Sequence, residues 1–261
     1  MKPRVTVRTA AATLLPALLL AAVGCGSTDT PAAGNAPDPK GSAAASGSPD
    51  GASTGPGGSG GPGGTAAPKA GGSRLERSAL EQGDLPGYTI SAQGKNPNAP
   101  DGQPQADRKA CQPLADIMGD KPDPAARETV NRGIGSQKQV GLAVSASVSS
   151  YAESDAKTLI SRLRSAVAAC GTGFSATVED QTGSYRDVQA ADYRTGGDES
   201  VSWTTTAAAG GVAAPVHLVV VRQGDTVVRL MALNVTAAQQ KAQVPHEVAD
   251  KQLEKVRKAG P

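Results

Sequence analysis

The side chains that could do acid–base chemistry are few, because the 261-residue chain holds only two histidines. His217 alternates with Val219 and Val221 along an apolar run, which predicts a half-buried position on a strand. His246 directly follows Pro245 at the predicted start of a helix, where we expect it in solvent. No serine or cysteine is connected to either histidine by a known motif, so no nucleophile–base pair is predicted. We therefore predict a protein that is not an enzyme.

Neither a metal site nor a cofactor is predicted. Asp198 and Glu199 follow two glycines, but their spacing lacks the alternating oxygen ligands of a calcium loop. A turn before a strand explains this pair better. The formal net charge of +2 argues against a nucleic-acid partner, which would require a clustered basic face.

The six aromatic side chains all follow residue 72 in the sequence. Trp203 is predicted either to anchor the core or to form one wall of a cleft, and the core is the favoured interpretation. A candidate cleft would combine Trp203 with Tyr185, Tyr193 and His217.

The first cysteine is a candidate for lipidation. Basic residues precede an apolar stretch over residues 10–23, which has the layout of an export signal and is too short to span a bilayer. The segment that ends at Cys25 resembles a bacterial lipobox, although Ala22 stands where leucine is usual. We predict a signal peptide over residues 1–24 and a diacylglycerol and palmitate anchor on Cys25, at the outer face of the cell membrane. An ordinary cleaved signal with a chance cysteine is the alternative.

A disordered tether is predicted over residues 25–72. Gly and Pro account for 21 of the 47 residues from 26 to 72, and no large apolar residue occurs there. Such a composition cannot offset the entropy of ordering the chain. Residues 73–261 are therefore predicted to be the single folded domain.

Two further cysteines, Cys111 and Cys170, remain in this predicted domain. An even pair in an exported protein favours a disulfide, because the compartment outside the membrane is oxidising. Two separately buried thiols are the alternative. Either arrangement has a structural role.

The periodicity of residues 73–261 predicts strands joined by hairpins, together with several helices. A strand beginning at Val140 alternates apolar residues with Gly, Ala and Ser, which predicts one buried face. Apolar residues at helical spacing predict a helix from Ser154 to Cys170, and Gly224-Asp225 predicts a tight hairpin. The predicted fold class is α+β, a single domain with a twisted antiparallel sheet and helices packed mainly on one face.

The order of these elements resembles the extracellular sensor domain of PknH-type actinobacterial serine/threonine kinases, and lipoproteins that carry this domain without a kinase. The resemblance rests on residues 144–148, 151–156, 163–170, Asn234 and 244–256. It implies ligand or partner binding in a cleft, without catalytic residues. The family's kinase sensor has a second disulfide between late strands, whereas the corresponding residues 216–221 and 227–233 contain no cysteine.

The predicted function is that of a cell-surface lipoprotein whose sensor-like domain binds an envelope ligand or a protein partner. A lipid or glycolipid carrier is one alternative, and it would need a wide apolar cavity. The serine-rich second face of residues 141–149 argues against such an interior. A cell-wall hydrolase is the least supported alternative, because no acid–base pair stands out.

Overall fold

The structure, a computed structural model, describes residues 72–94, 102–236 and 241–260. The predicted signal peptide, Cys25 and nearly all of the predicted tether lie outside the described residues. The helices are α1 (Arg74–Ser78), α2 (Gln112–Met118), α3 (Glu153–Ala169) and α4 (His246–Ala259). The strands are β1 (Tyr88–Gln93), β2 (Gln105–Ala106), β3 (Glu128–Ser136), β4 (Leu142–Ser150), β5 (Phe174–Val178), β6 (Gln181–Ala190), β7 (Glu199–Ala209), β8 (Val212–Gln223) and β9 (Thr226–Asn234).

In this part of the chain the nine strands form one sheet, in the order β1-β3-β4-β9-β8-β7-β6-β5-β2. Every neighbouring pair is antiparallel. The hairpin between β8 and β9 turns at Gly224, which has a positive φ of 60° and so suits glycine. The prediction of a single α+β domain on an antiparallel sheet is confirmed.

Helices cover both faces of the sheet, which corrects the prediction that they pack mainly on one. Leu75 of α1 and Leu253 of α4 belong to the buried cluster on one face. Leu114 of α2 and Leu163 of α3 belong to a second cluster on the opposite face. We call these the α4 face and the α3 face.

The central strand β8 explains why two layers of helices are needed. Val219 and Val221 pack into the α4-face cluster, whereas Leu218 and Val220 pack into the α3-face cluster. A strand that is apolar on both sides must be covered on both sides. The uninterrupted apolar run 218–221 therefore indicates that helices cover both faces of the sheet.

The helix ends follow local signals to different degrees. Ser73 caps α1 by accepting a hydrogen bond of 3.2 Å from the Glu76 amide, but the helix ends at Ser78. Helix α4 begins directly after Pro245, as predicted. Helix α3 begins at Glu153, one residue before the predicted start at Ser154, and no side chain caps it.

A disulfide joins Cys111 and Cys170, with 5.8 Å between their Cα atoms. Cys111 ends a 3-10 turn that leads into α2, and Cys170 directly follows α3. Both cysteines are fully buried in the α3-face cluster. The predicted pairing is therefore confirmed, and it fixes the two helices of this face to each other.

Candidate functional site: a serine-lined groove

The four side chains of the predicted cleft lie on two different faces of the sheet. Trp203 is fully buried on the α3 face, and Tyr185 packs against the same cluster, with its ring stacked 4.8 Å from Phe174. Tyr193 lies on the α4 face, and its ring centroid is 5.4 Å from that of His217. Because the sheet separates these two pairs, they do not line a common cleft.

His217 is held in the interior by two hydrogen bonds. The Val244 amide donates to Nδ1 at 3.0 Å, which assigns the proton of the neutral ring to Nε2. Nε2 then donates to the Ser202 hydroxyl at 2.9 Å, and that hydroxyl donates to the Leu218 carbonyl. A general base would have to present a lone pair to the serine, so this pair is arranged against nucleophilic catalysis. Burial, and to a smaller extent repulsion by His246, lowers the pKa of His217 to about 4.

A groove opens on the α3 face beside the helices. The buried cluster of this face includes residues of β5 to β9 but none of β1, β3 or β4 among the described residues, so part of the sheet is left open. The groove has a volume of about 540 Å³ and adjoins a second hollow of about 320 Å³. Both hollows are lined by Asp120, Lys121, Asn131 and Arg229. We call the two together the serine groove.

The floor of the serine groove is polar because of the alternation along β4. Ser145, Ser147 and Ser149 point away from the apolar α4 face and line the groove. Ser147 lies opposite Asn131 of β3 and Arg229 of β9. Three neighbouring strands therefore contribute hydroxyl, amide and guanidinium groups to one surface.

These groups are already connected to each other. Arg229 Nη2 donates to the Ser147 hydroxyl at 2.7 Å, and that hydroxyl donates to Asn131 Oδ1 at 2.7 Å. A further hydrogen bond of 2.9 Å joins the hydroxyls of Thr129 and Ser149. The network fixes the rotamers of the floor and so preorganises it for a polar ligand.

Arg229 is the charged centre of the serine groove. Its side chain is 7% exposed, and Nη1 donates to the Ile117 carbonyl at 2.7 Å. Nη2 lies 3.1 Å from Asp120, whose side chain is 52% exposed. Burial lowers the pKa of Arg229, while the Asp120 carboxylate and Tyr151 oppose that shift.

Arg229 differs from the two other buried arginines of the described residues. Arg132 and Arg222 lie elsewhere, and neither has a buried nitrogen without a hydrogen-bond partner. Arg229 Nε, in contrast, is buried and has no partner in the part of the chain that the structure describes. Of these three buried arginines, the one that lines the serine groove is thus the one with a buried N–H that has no hydrogen-bond partner.

Two methionines complete the serine groove. The chain has three methionines, and the two that follow Met1 both line the larger hollow. Met118 is the last residue of α2, and Met231 lies opposite Ser145 on β9. Their flexible, polarisable side chains provide an apolar contact surface beside the polar floor.

The serine groove was not predicted, although the sequence contains one signal for it. The alternation along 141–149 places serines on one face and argues against an apolar cavity, but it does not show which strands lie beside them. The strand β3 was not predicted, because Gly133 and Gly135 interrupt its pattern. Without β3, nothing placed Asn131 beside Ser147.

The fold defines an α+β domain in which one antiparallel sheet carries helices on both faces. The PknH-like extracellular domain family matches residues 70–255, and the chain belongs to this family. A comparison with curated proteins found no significant match.

Two solved structures are similar to this chain. The extracellular domain of PknH from Mycobacterium tuberculosis is 12% identical, with a TM-score of 0.45, and the match covers 71% of this chain and 94% of that one. An uncharacterized protein from Mycobacterium smegmatis is 10% identical, with a TM-score of 0.36, and the match covers 67% of this chain and 90% of that one. Among the described residues, no helix combines the length and apolarity needed to cross a bilayer.

Proposed function

We propose that this chain is a cell-surface, sensor-like protein that binds an envelope ligand in the serine groove and does not catalyse a reaction. The observation that carries the proposal is the polar floor around Arg229, a buried cation with an unused donor at the base of an open groove. Burying a charge costs desolvation free energy, so packing alone does not explain an arginine at this position. Membership of an extracellular domain family supports a role outside the cell.

The floor of the serine groove favours a polar ligand over a lipid. A carrier of acyl chains would need a wide cavity with apolar walls. The floor instead presents Ser145, Asn131 and the guanidinium of Arg229. We therefore propose binding of a polar envelope molecule in preference to lipid transport.

We also propose how the domain reaches the cell surface. Residues 1–24 serve as a signal peptide, Cys25 carries the lipid, and residues 25–72 form the tether to the domain at 73–261. The start of the family match at residue 70 supports this boundary. Growth with an alkyne-tagged fatty acid tests the anchor: the wild type should be labelled and membrane-bound, and Cys25→Ala should be neither. Labelling of Cys25→Ala would contradict the anchor.

A substitution that fills the groove tests the binding site. Ser145→Trp places a large ring on the floor, and we expect the immobilised full chain to lose at least tenfold of its capacity for polar envelope extract. Ser161→Trp is the matched control, because Ser161 is exposed on α3 and lies outside the groove lining. Equal retention by the wild type and Ser145→Trp, with both folded by circular dichroism, would exclude the groove as the site.

A further inference from the structure

The two members of the Arg229–Asp120 pair have very different environments. Arg229 is buried, so leaving its charge without a partner would be strongly destabilising. Asp120 is half exposed and can return to water at little cost. Its backbone has a positive φ of 60°, which aspartate tolerates better than most residues do. Another anion can therefore replace Asp120, whereas the guanidinium of Arg229 stays in place.

From this asymmetry we propose that the serine groove binds an anionic saccharide, whose carboxylate or phosphate replaces Asp120 on Arg229. The inference rests on the proposed function and names the chemical class of its ligand. Carboxylate and phosphate both match the forked donors of a guanidinium. The unused Nε–H of Arg229 offers a second donor for the incoming oxyanion.

The rest of the groove suits a sugar ring. Half-buried Ser145 and Asn131 and exposed Thr129 present hydroxyl and amide groups on adjacent strands. Side chains opposite each other on antiparallel strands are about 5 Å apart, which is the scale of a pyranose ring. Met118 and Met231 offer apolar contact for the C–H face of the ring.

The methyl groups of Met118 and Met231 also provide NMR signals that report on binding in the groove. We would label the full chain with methyl-¹³C methionine and assign the signals with Met118→Leu and Met231→Leu. Three probes share one ring: glucuronate carries a carboxylate, glucose 6-phosphate carries a phosphate, and glucose is neutral. We expect glucuronate, glucose 6-phosphate or both to shift the Met118 and Met231 methyl signals saturably, and glucose to bind at least tenfold more weakly. The stronger charged probe identifies the type of oxyanion.

Asp120→Asn tests the exchange directly while Arg229 stays in place. Removing the competing carboxylate should tighten binding of the charged sugar by about fivefold, which corresponds to the upper end of the range for an ion pair whose carboxylate is half exposed. Asp187→Asn is the matched control, since Asp187 is also exposed, also has a positive φ (56°), and lies outside the groove. We expect it to bind as the wild type does.

The remaining outcomes decide against the saccharide proposal alone or against both proposals. Binding of glucose as tightly as the charged sugars, or weaker binding by folded Asp120→Asn, would overturn the anion exchange. Methyl shifts caused by envelope extract but by none of the three sugars would overturn the saccharide inference and leave the proposed function standing. If neither extract nor sugars moved the two methyl signals, both proposals would fall.

Discussion

His217 should make the stability of the domain depend on pH in a range where most carboxylates remain ionised. In the folded protein its pKa is about 4, chiefly because it is buried, whereas an unfolded histidine has a pKa of about 6.5. Protons therefore bind first to the unfolded chain as the pH falls. The stabilising contribution of neutral His217 is complete above pH 6.5 or so and is lost on acidification toward pH 4.

The size of the effect follows from the difference between the two pKa values. Each pKa unit corresponds to about 1.4 kcal/mol, so protonation of His217 should lower the free energy of unfolding by about 2 kcal/mol between pH 7 and pH 5, and by about 3 kcal/mol by pH 4. Protonation would also place a proton on Nδ1, where the Val244 amide now donates. The segment that leads into α4 should therefore loosen first.

The assay is urea unfolding of the wild type and His217→Gln at a series of pH values between 7 and 5. Glutamine can still accept and donate one hydrogen bond, so the variant should fold, with lower stability at pH 7 and a flatter pH dependence. His246→Gln is the control, since exposed His246 adds only the smaller part of the shift, and it should retain most of the slope. Equal slopes for the wild type and His217→Gln would refute the reasoning.

Two further substitutions test bonds that connect separate structural elements. Replacing Cys111 and Cys170 together with alanine opens a loop of 59 residues and should lower the free energy of unfolding by about 4 kcal/mol in urea; a loss below about 1 kcal/mol would show that the disulfide contributes little. Gln252→Ala should cost about 2–4 kcal/mol, because fully buried Gln252 accepts from the Leu80 amide and donates to the Ser78 carbonyl, and both groups would be left unpaired. An unchanged melting temperature would contradict that assignment.

The elements that the sequence predicted well are those with a strong local signal. The strand predicted to begin at Val140 starts at Leu142, and the helix predicted from Ser154 to Cys170 spans Glu153–Ala169. The disulfide followed from counting cysteines in an exported chain. Each of these signals is contained in a short window or in a simple count.

The site was harder to predict because it depends on which strands become neighbours. Arg229 and Asn131 are 98 positions apart in the sequence, and β4 brings them together by pairing with both β3 and β9. The predicted cleft failed to form for a related reason, because alternation along β7 and β8 sends Trp203 and His217 to opposite faces of the sheet. His217 pairs with Thr204, one position beyond Trp203, and so faces α4 instead of α3.

The most direct test of groove binding uses the Met118 and Met231 methyl signals of the full chain in the presence of polar envelope extract. Both signals should shift with the wild type, and Ser145→Trp should abolish the shift. If the extract binds the protein while both methyl signals stay where they are, the ligand lies elsewhere and the serine groove is not the functional site.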